Sequence, residues 1–163
     1  MNSTTGPTPE EKEHAAREVM KHREEVSKLL SAVVSEIGKR MELHDRSKLK
    51  DPELGVFAKM TPKLKGSTYG SPEYMEMLDQ MKPALDHHYT ENRHHPEHFD
   101  HGIADMNLID LIEYICDCMA ATKRHSDGDI QKSIVKNTER HKIPEAVVMI
   151  LKNTVTWLQE QKK

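Results

Sequence analysis

At 163 residues and a formal net charge of −3, the chain has the length of one domain and lacks the basic excess of a general nucleic-acid binder. No apolar run reaches the length of a membrane span, and the polar N-terminus is no secretory signal. Aromatic residues make up 4% of the chain and methionines number ten, so Leu, Ile, Val and Met must fill the core.

Residues 1–8 read as a flexible tail and 9–163 as a single domain. "TPEE" is a helix start, with Thr8 as N-cap, Pro9 in the first position and Glu11 completing a capping box. Ala15, Val19, Val26, Leu29, Val33 and Ile37 then define one amphipathic face. Gly38 is expected to end or bend that helix before a second, shorter one carries "LHDRSKL". "DPEL", capped by Asp51, starts another short helix, and 61–70 reads as a loop. "SPEY" opens the next helix, with Tyr74, Leu78, Met81 and Leu85 on one face and a restart at Pro83. The segment 90–104 is irregular. From Asp105 to about Lys123 the chain is apolar nearly all round, which predicts a central helix. Two more helices are predicted at roughly 129–140 and 145–160. No strand pattern stands out, so the expected fold is all-α, one compact bundle of six to seven helices. Cys116 and Cys118 lie two apart on the central helix, where they diverge, and a reducing, cytoplasmic setting is expected.

Histidine is the compositional outlier, with eleven in all and six between His87 and His101. His22 sits between Val19 and Val26 on the apolar face of the first helix; taken alone, it reads as a hydrogen-bonded core histidine. His44 continues the register of Ile37 and Met41, and Asp45 beside it supplies a carboxylate. A helix-end ion pair with Arg46 or Lys48 is the plainer reading of that dipeptide. His88 extends the stripe of Leu78, Met81 and Leu85, whereas His87 falls off it. In "TENRHHPEHF", His94, His95 and His98 offer further ligands, with Asn92 and Arg93 available to a substrate. Asp110, Glu113 and Asp117 form an acidic stripe on the predicted central helix, and buried carboxylates need a cation. Jointly these predict His22, His44, Asp45, His88, His95 and Asp117 converging on metal inside one bundle.

A lone His, a His-Asp pair, further His and a late Asp resemble the HD-domain superfamily of metal-dependent phosphohydrolases. "HDRSKL", "YGSPEY", "DHHYTENRHHPEHF" and "DLIEYICD…AATKRHSDGDI" more closely resemble a bacterial and phage family near that superfamily, marked by HDxSK and NxHHPEH motifs. The resemblance implies a first metal held by His22, His44, Asp45 and Asp117, and a second that adds His88 and His95. It implies one or two divalent ions, with Fe, Mn, Zn, Ni or Co all compatible. The expected reaction is hydrolysis of a phosphoester or phosphoanhydride in a nucleotide or other small phosphorylated metabolite. Asp45 would orient the attacking water, and Lys48, Asn92, Arg93 and Arg124 would contact the phosphate. His94 or His98 would serve as general acid, while Glu113 or Asp110 would orient ligand histidines. Two other readings share the ligand set: a di-iron HD-type oxygenase, and a non-catalytic binding module that uses metal for folding. No membrane partner is expected, and a homodimer is compatible with everything above.

Overall fold

The computed structural model describes residues 6–67, 71–124 and 128–161; among them are helices and turns and no strand. The all-α expectation holds, with seven α-helices among the described residues. Contacts divide the chain between Lys39 and Arg40 into two units, each described on its own.

Most of helix α1 (Pro9–Leu43) makes up the first unit. Its start is the expected capping box: the Thr8 N–H donates to Glu11 Oε2 at 2.7 Å, and Thr8 Oγ1 accepts from the Glu11 N–H at 3.2 Å. The break expected at Gly38 does not occur, because one glycine costs a helix only about 1 kcal/mol and its neighbours are good helix formers. Every described residue up to Ser35 is exposed, including those of the apolar face. Helical spacing identifies the residues that share a face; it does not say what covers them.

In the second unit, the chain leaves α1 through His44 and Asp45 into a 3₁₀ turn, Arg46–Leu49. "LHDRSKL" is therefore a helix end and a turn rather than a second helix. Helix α2 (Glu53–Lys65) begins after Pro52 with no side-chain cap, so Asp51 does not take the expected role. It also runs through Pro62, turning residues 61–65 of the predicted loop into helix; residues 68–70 of that stretch lie outside the described residues. Ser71 caps α3 (Pro72–Gln80) by accepting from the Tyr74 N–H, and α4 (Lys82–Glu91) restarts with Pro83 in its first turn, as predicted. Two 3₁₀ turns, Pro96–His98 and Gly102–Asp105, fill the irregular segment. Helices α5 (Leu108–Thr122), α6 (Ile130–His141) and α7 (Glu145–Glu160) follow.

Two apolar clusters organise this unit. Leu111, Tyr114 and Ile115 of α5 pack with Ile103, Ile130, Ile134, Ile143, Leu151 and Val155, tying α5 to α6 and α7. Each fully buried aliphatic side chain there contributes about 1.5–3 kcal/mol of transfer free energy. Around the other helices, Met60, Met81 and Ala84 are buried where α2 packs on α4 and α3. Helix α5 is central but not covered all round, since Leu108, Ile112 and Cys116 form an exposed edge. No helix among the described residues is long and apolar enough to cross a membrane.

Candidate metal centre

The site starts from a backbone reversal. Asp45 adopts a left-handed conformation (φ 55°, ψ 14°), which Asp tolerates better than most residues, and this ends α1. Successive side chains on a helix diverge by about 100°. The reversal instead lets the neighbours meet, with His44 Nε2 3.8 Å from Asp45 Oδ2. From α5, Asp117 Oδ1 approaches His44 Nε2 at 3.6 Å. From α4 and the loop after it come His88 and His94, whose Nε2 atoms lie 3.2 and 3.5 Å from Asp45 Oδ1. His95 Nε2 is 2.9 Å from His88 Nε2. Four imidazoles and two carboxylates thus surround one small volume. Asp45 is common to two ligand groupings, one with His88, His94 and His95, the other with His44 and Asp117.

What lies behind the rings decides which nitrogens face inward. Glu53, from the first turn of α2, is fully buried and accepts from His88 Nδ1 at 2.9 Å, from His87 Nδ1 at 2.7 Å and from Ser47 Oγ at 3.1 Å. A carboxylate only accepts, so His88 carries a proton on Nδ1 and turns its Nε2 toward Asp45. Asn92 supports this arrangement: its amide donates to Ser47 Oγ and to the His88 carbonyl, both at 2.8 Å. Glu113, from α5, does the same for the other pair, its Oε1 lying 2.9 Å from His44 Nδ1 and 3.2 Å from His94 Nδ1. These are hydrogen-bond distances, so Glu113 orients the two rings, although the three groups could also hold an ion themselves. Arg40 bridges Glu113 and Asp110, at 2.9 and 3.1 Å. A carboxylate behind three of the four ligand histidines, His44, His88 and His94, orients each ring and raises its basicity, as in known metal sites.

Electrostatics agree with this division. His44 is pushed up to about 10 by the nearby Asp117 carboxylate and by the hydrogen-bonded Glu113. Burial and the neighbouring His94 and His88 push His95 down to about 3, leaving a neutral ring. Burial opposes ionisation of Asp45, yet the contact with His88 and the Lys48 ammonium at 2.6 Å hold its carboxyl below the usual range. Glu113 likewise stays below that range, its burial outweighed by His44, His94 and Arg40.

A divalent ion fits this donor set. Asp45 Oδ1 and His94 Nε2 are buried and have no hydrogen-bond partner, and both face the shared volume. Buried polar atoms without partners are rare and mark a missing ion or water. The 2.9 Å approach of His88 Nε2 to His95 Nε2 likewise needs a proton or a cation between two imidazole nitrogens. Imidazole with carboxylate suits Zn, Fe, Mn, Co or Ni.

Of the residues expected at the site, the structure brings His44, Asp45, His88, His95 and Asp117 together. His94, expected as a general acid, stands with the ligand groups, at 1% exposure. His22 does not belong to them: it is exposed on α1, because the face it shares with Val19 and Val26 is itself exposed. His98 also stays out, with Nδ1 at 3.0 Å from the Tyr89 carbonyl and its ring against Phe99. Lys48 reaches Asp45 and also lies 5.3 Å over the Phe57 ring. Arg93, expected to meet substrate, is committed elsewhere: it forms a forked pair with buried Asp110 at 3.0 and 3.2 Å and stacks on Phe99. Asn92 is buried behind His88, while Arg124 is exposed just past the end of α5.

A family model described as "Family of unknown function (DUF5662)" matches residues 11–163, which include the whole cluster. The chain belongs to this family. No curated protein and no solved structure matches it. For this DUF5662 member, Glu53 and Ser47 are the site residues that sequence reasoning missed. Glu53 reads as an ordinary acidic residue in a first helical turn, and only the packing of α2 on α4 buries it against His87 and His88.

Proposed function

We propose that the cluster binds one or two divalent metal ions and that the protein is a metal-dependent hydrolase of small phosphorylated metabolites, nucleotides among them, in a reducing cytoplasmic setting. The observation that carries the metal reading is the pair of carboxylates behind the rings, buried Glu53 and part-buried Glu113. They hold the Nδ1 sides of three imidazoles and turn the other nitrogens toward Asp45. Phosphate chemistry rests on the resemblance of "HDRSK" and the late Asp117 to the HD superfamily, and on a cation beside the site in Lys48.

When bound, a divalent ion supplies Lewis acidity and a water acidified toward neutral pH. The chain's own residues divide the remaining work. His88, His94 and His95 with Asp45 form a histidine-rich holding set, buried on most sides. Asp45, anchored by Lys48, is placed to orient a water between the two groupings. Lys48, paired with Asp45 at 2.6 Å, brings a cation to the site that would attract a phosphate oxygen. His44 and Asp117 are partly exposed and lie on the side where a substrate enters.

Elemental analysis of purified protein, together with a screen of phosphorylated metabolites, tests both halves. Asp45→Ala should lose metal and turnover together. Glu53→Gln should lower metal affinity by roughly 10- to 100-fold. Wild-type protein without bound metal would sink the whole reading. Metal-loaded protein that releases no phosphate but consumes oxygen with iron would replace the hydrolase by the di-iron oxygenase. A loaded protein inactive in both assays would leave the binding module.

A further inference from the structure

Helix α1 carries a second pattern that the metal site does not use. Ala15, Val19, His22, Val26, Leu29 and Val33 follow one another at alternating spacings of four and three, the 3.5-residue period of a coiled-coil seam. All six are exposed, with Val19 at 56%, Leu29 at 70% and Val33 at 40%. A row of apolar side chains this long seldom stays in water on a stable chain. Lys12 and Glu36 occupy the next seam positions on either side, so charges bound the stripe at about three heptads.

We propose that this face of α1 is covered by the same face of a second copy of this chain, in a parallel two-stranded coiled coil. Residue types at the seam select that partner and that geometry. Valine stands at all three core positions of one class (Val19, Val26, Val33), and leucine stands in the other class at Leu29. β-Branched residues at the first class with leucine at the second favour two parallel strands. The flanks are complementary to themselves: Glu18 precedes the seam residue Val19, and Arg23 follows His22. A parallel, in-register pair sets Glu18 of each copy against Arg23 of the other. Within one chain, Glu18 pairs only at the surface with Lys21, at 2.8 Å, and Arg23 contacts the Met20 sulfur at 3.8 Å. The remaining charges off the seam are already spent in pairs along the helix, Glu13 with Arg17 and Glu24 and Glu25 with Lys28.

His22 then has a role other than metal ligation. It is the one polar side chain among the six, and a polar residue in a coiled-coil core fixes register at a cost in affinity. Ala15 adds little burial, so the pair is weak and depends on concentration.

The test is analytical ultracentrifugation of the full-length protein over a wide concentration range. A monomer–dimer equilibrium is expected. The double variant V26D V33D should be monomeric throughout, with helix content and metal-to-protein ratio unchanged, since both residues are exposed in the single chain. H22L should tighten the dimer about tenfold or more by replacing the polar seam residue. A wild type that stays monomeric would overturn the proposal, as would a dimer that survives in V26D V33D or one that H22L weakens. A monomer whose thermal stability drops in V26D V33D would also overturn it, by showing that the chain covers the stripe itself. None of these outcomes depends on whether the metal centre hydrolyses phosphate.

Discussion

The proton on His44 is the competitor that a metal ion has to displace. The Asp117 and Glu113 carboxylates raise this imidazole to about 10, so the metal-free protein carries it charged at neutral pH. A histidine raised above its unfolded value of about 6.5 stabilises the fold fully below that value, and loses the contribution as pH climbs to the folded value. The chelated protein should therefore melt at falling temperatures between pH 7 and 10. His44→Gln should flatten that slope, and an unchanged slope in the variant would remove His44 as its source. The same proton must leave when a metal enters, so binding near pH 7 should release protons and strengthen with pH. Calorimetry in buffers of different ionisation enthalpy reads the number released. Individual residues were legible from sequence where a helical register constrained them. His88 lies on the stripe with Leu85 and is buried, while His87, off the stripe, meets the other oxygen of Glu53. Asp110, Glu113 and Asp117 also face partners rather than solvent, as a buried acidic stripe requires. His94 and Glu53 were less legible because loop geometry and tertiary packing place them.

At the scale of elements, the capped starts at Thr8 and Ser71 were readable, whereas the cap expected at Asp51 is not used and single weak breakers do not act. Thr8 and Ser71 cap helices through side chains as local chemistry predicts, while Asn107 caps α5, which begins at Leu108 rather than at the expected Asp105. Gly38 does not break α1, and Pro62 does not break α2. Gly38 has no atom within 4 Å of the place a Cβ would occupy, and it sits in a continuous helix. Gly38→Ala should therefore stabilise the protein by about 0.5–1 kcal/mol, through the backbone freedom that the unfolded chain loses. Denaturant titration would show it as a higher midpoint at constant slope. A destabilised variant would mean that the helix bends at this position in solution.

For the whole molecule, stability has two separable sources. The cluster of Leu111, Tyr114, Ile115, Ile134, Leu151 and Val155 joins α5, α6 and α7 mainly by apolar burial. The end of α1 and the loop after α4 instead meet α5 through Asp45, Glu113, Asp117 and the imidazoles, while Glu53 ties α2 to α4. That division explains why the all-α class was plain from periodicity, whereas membership of the site was only partly so: apolar stripes report on the first half, and polar convergence decides the second. It also predicts where metal acts. An ion that binds the folded state stabilises it by RT ln(1 + [L]/Kd), about 2.7 kcal/mol at a hundredfold excess over Kd. In a domain of this size that corresponds to a melting shift of roughly 5–10 °C. Chelation should therefore lower the melting temperature by this order. Hydrogen exchange should rise first at α4, the turn Arg46–Leu49 and the loop carrying His94 and His95, before α6 and α7 are affected. Uniform loss of protection across all helices would mean that the metal centre and the apolar core unfold as one unit, and equal melting with and without chelator would mean that no ion contributes to the fold.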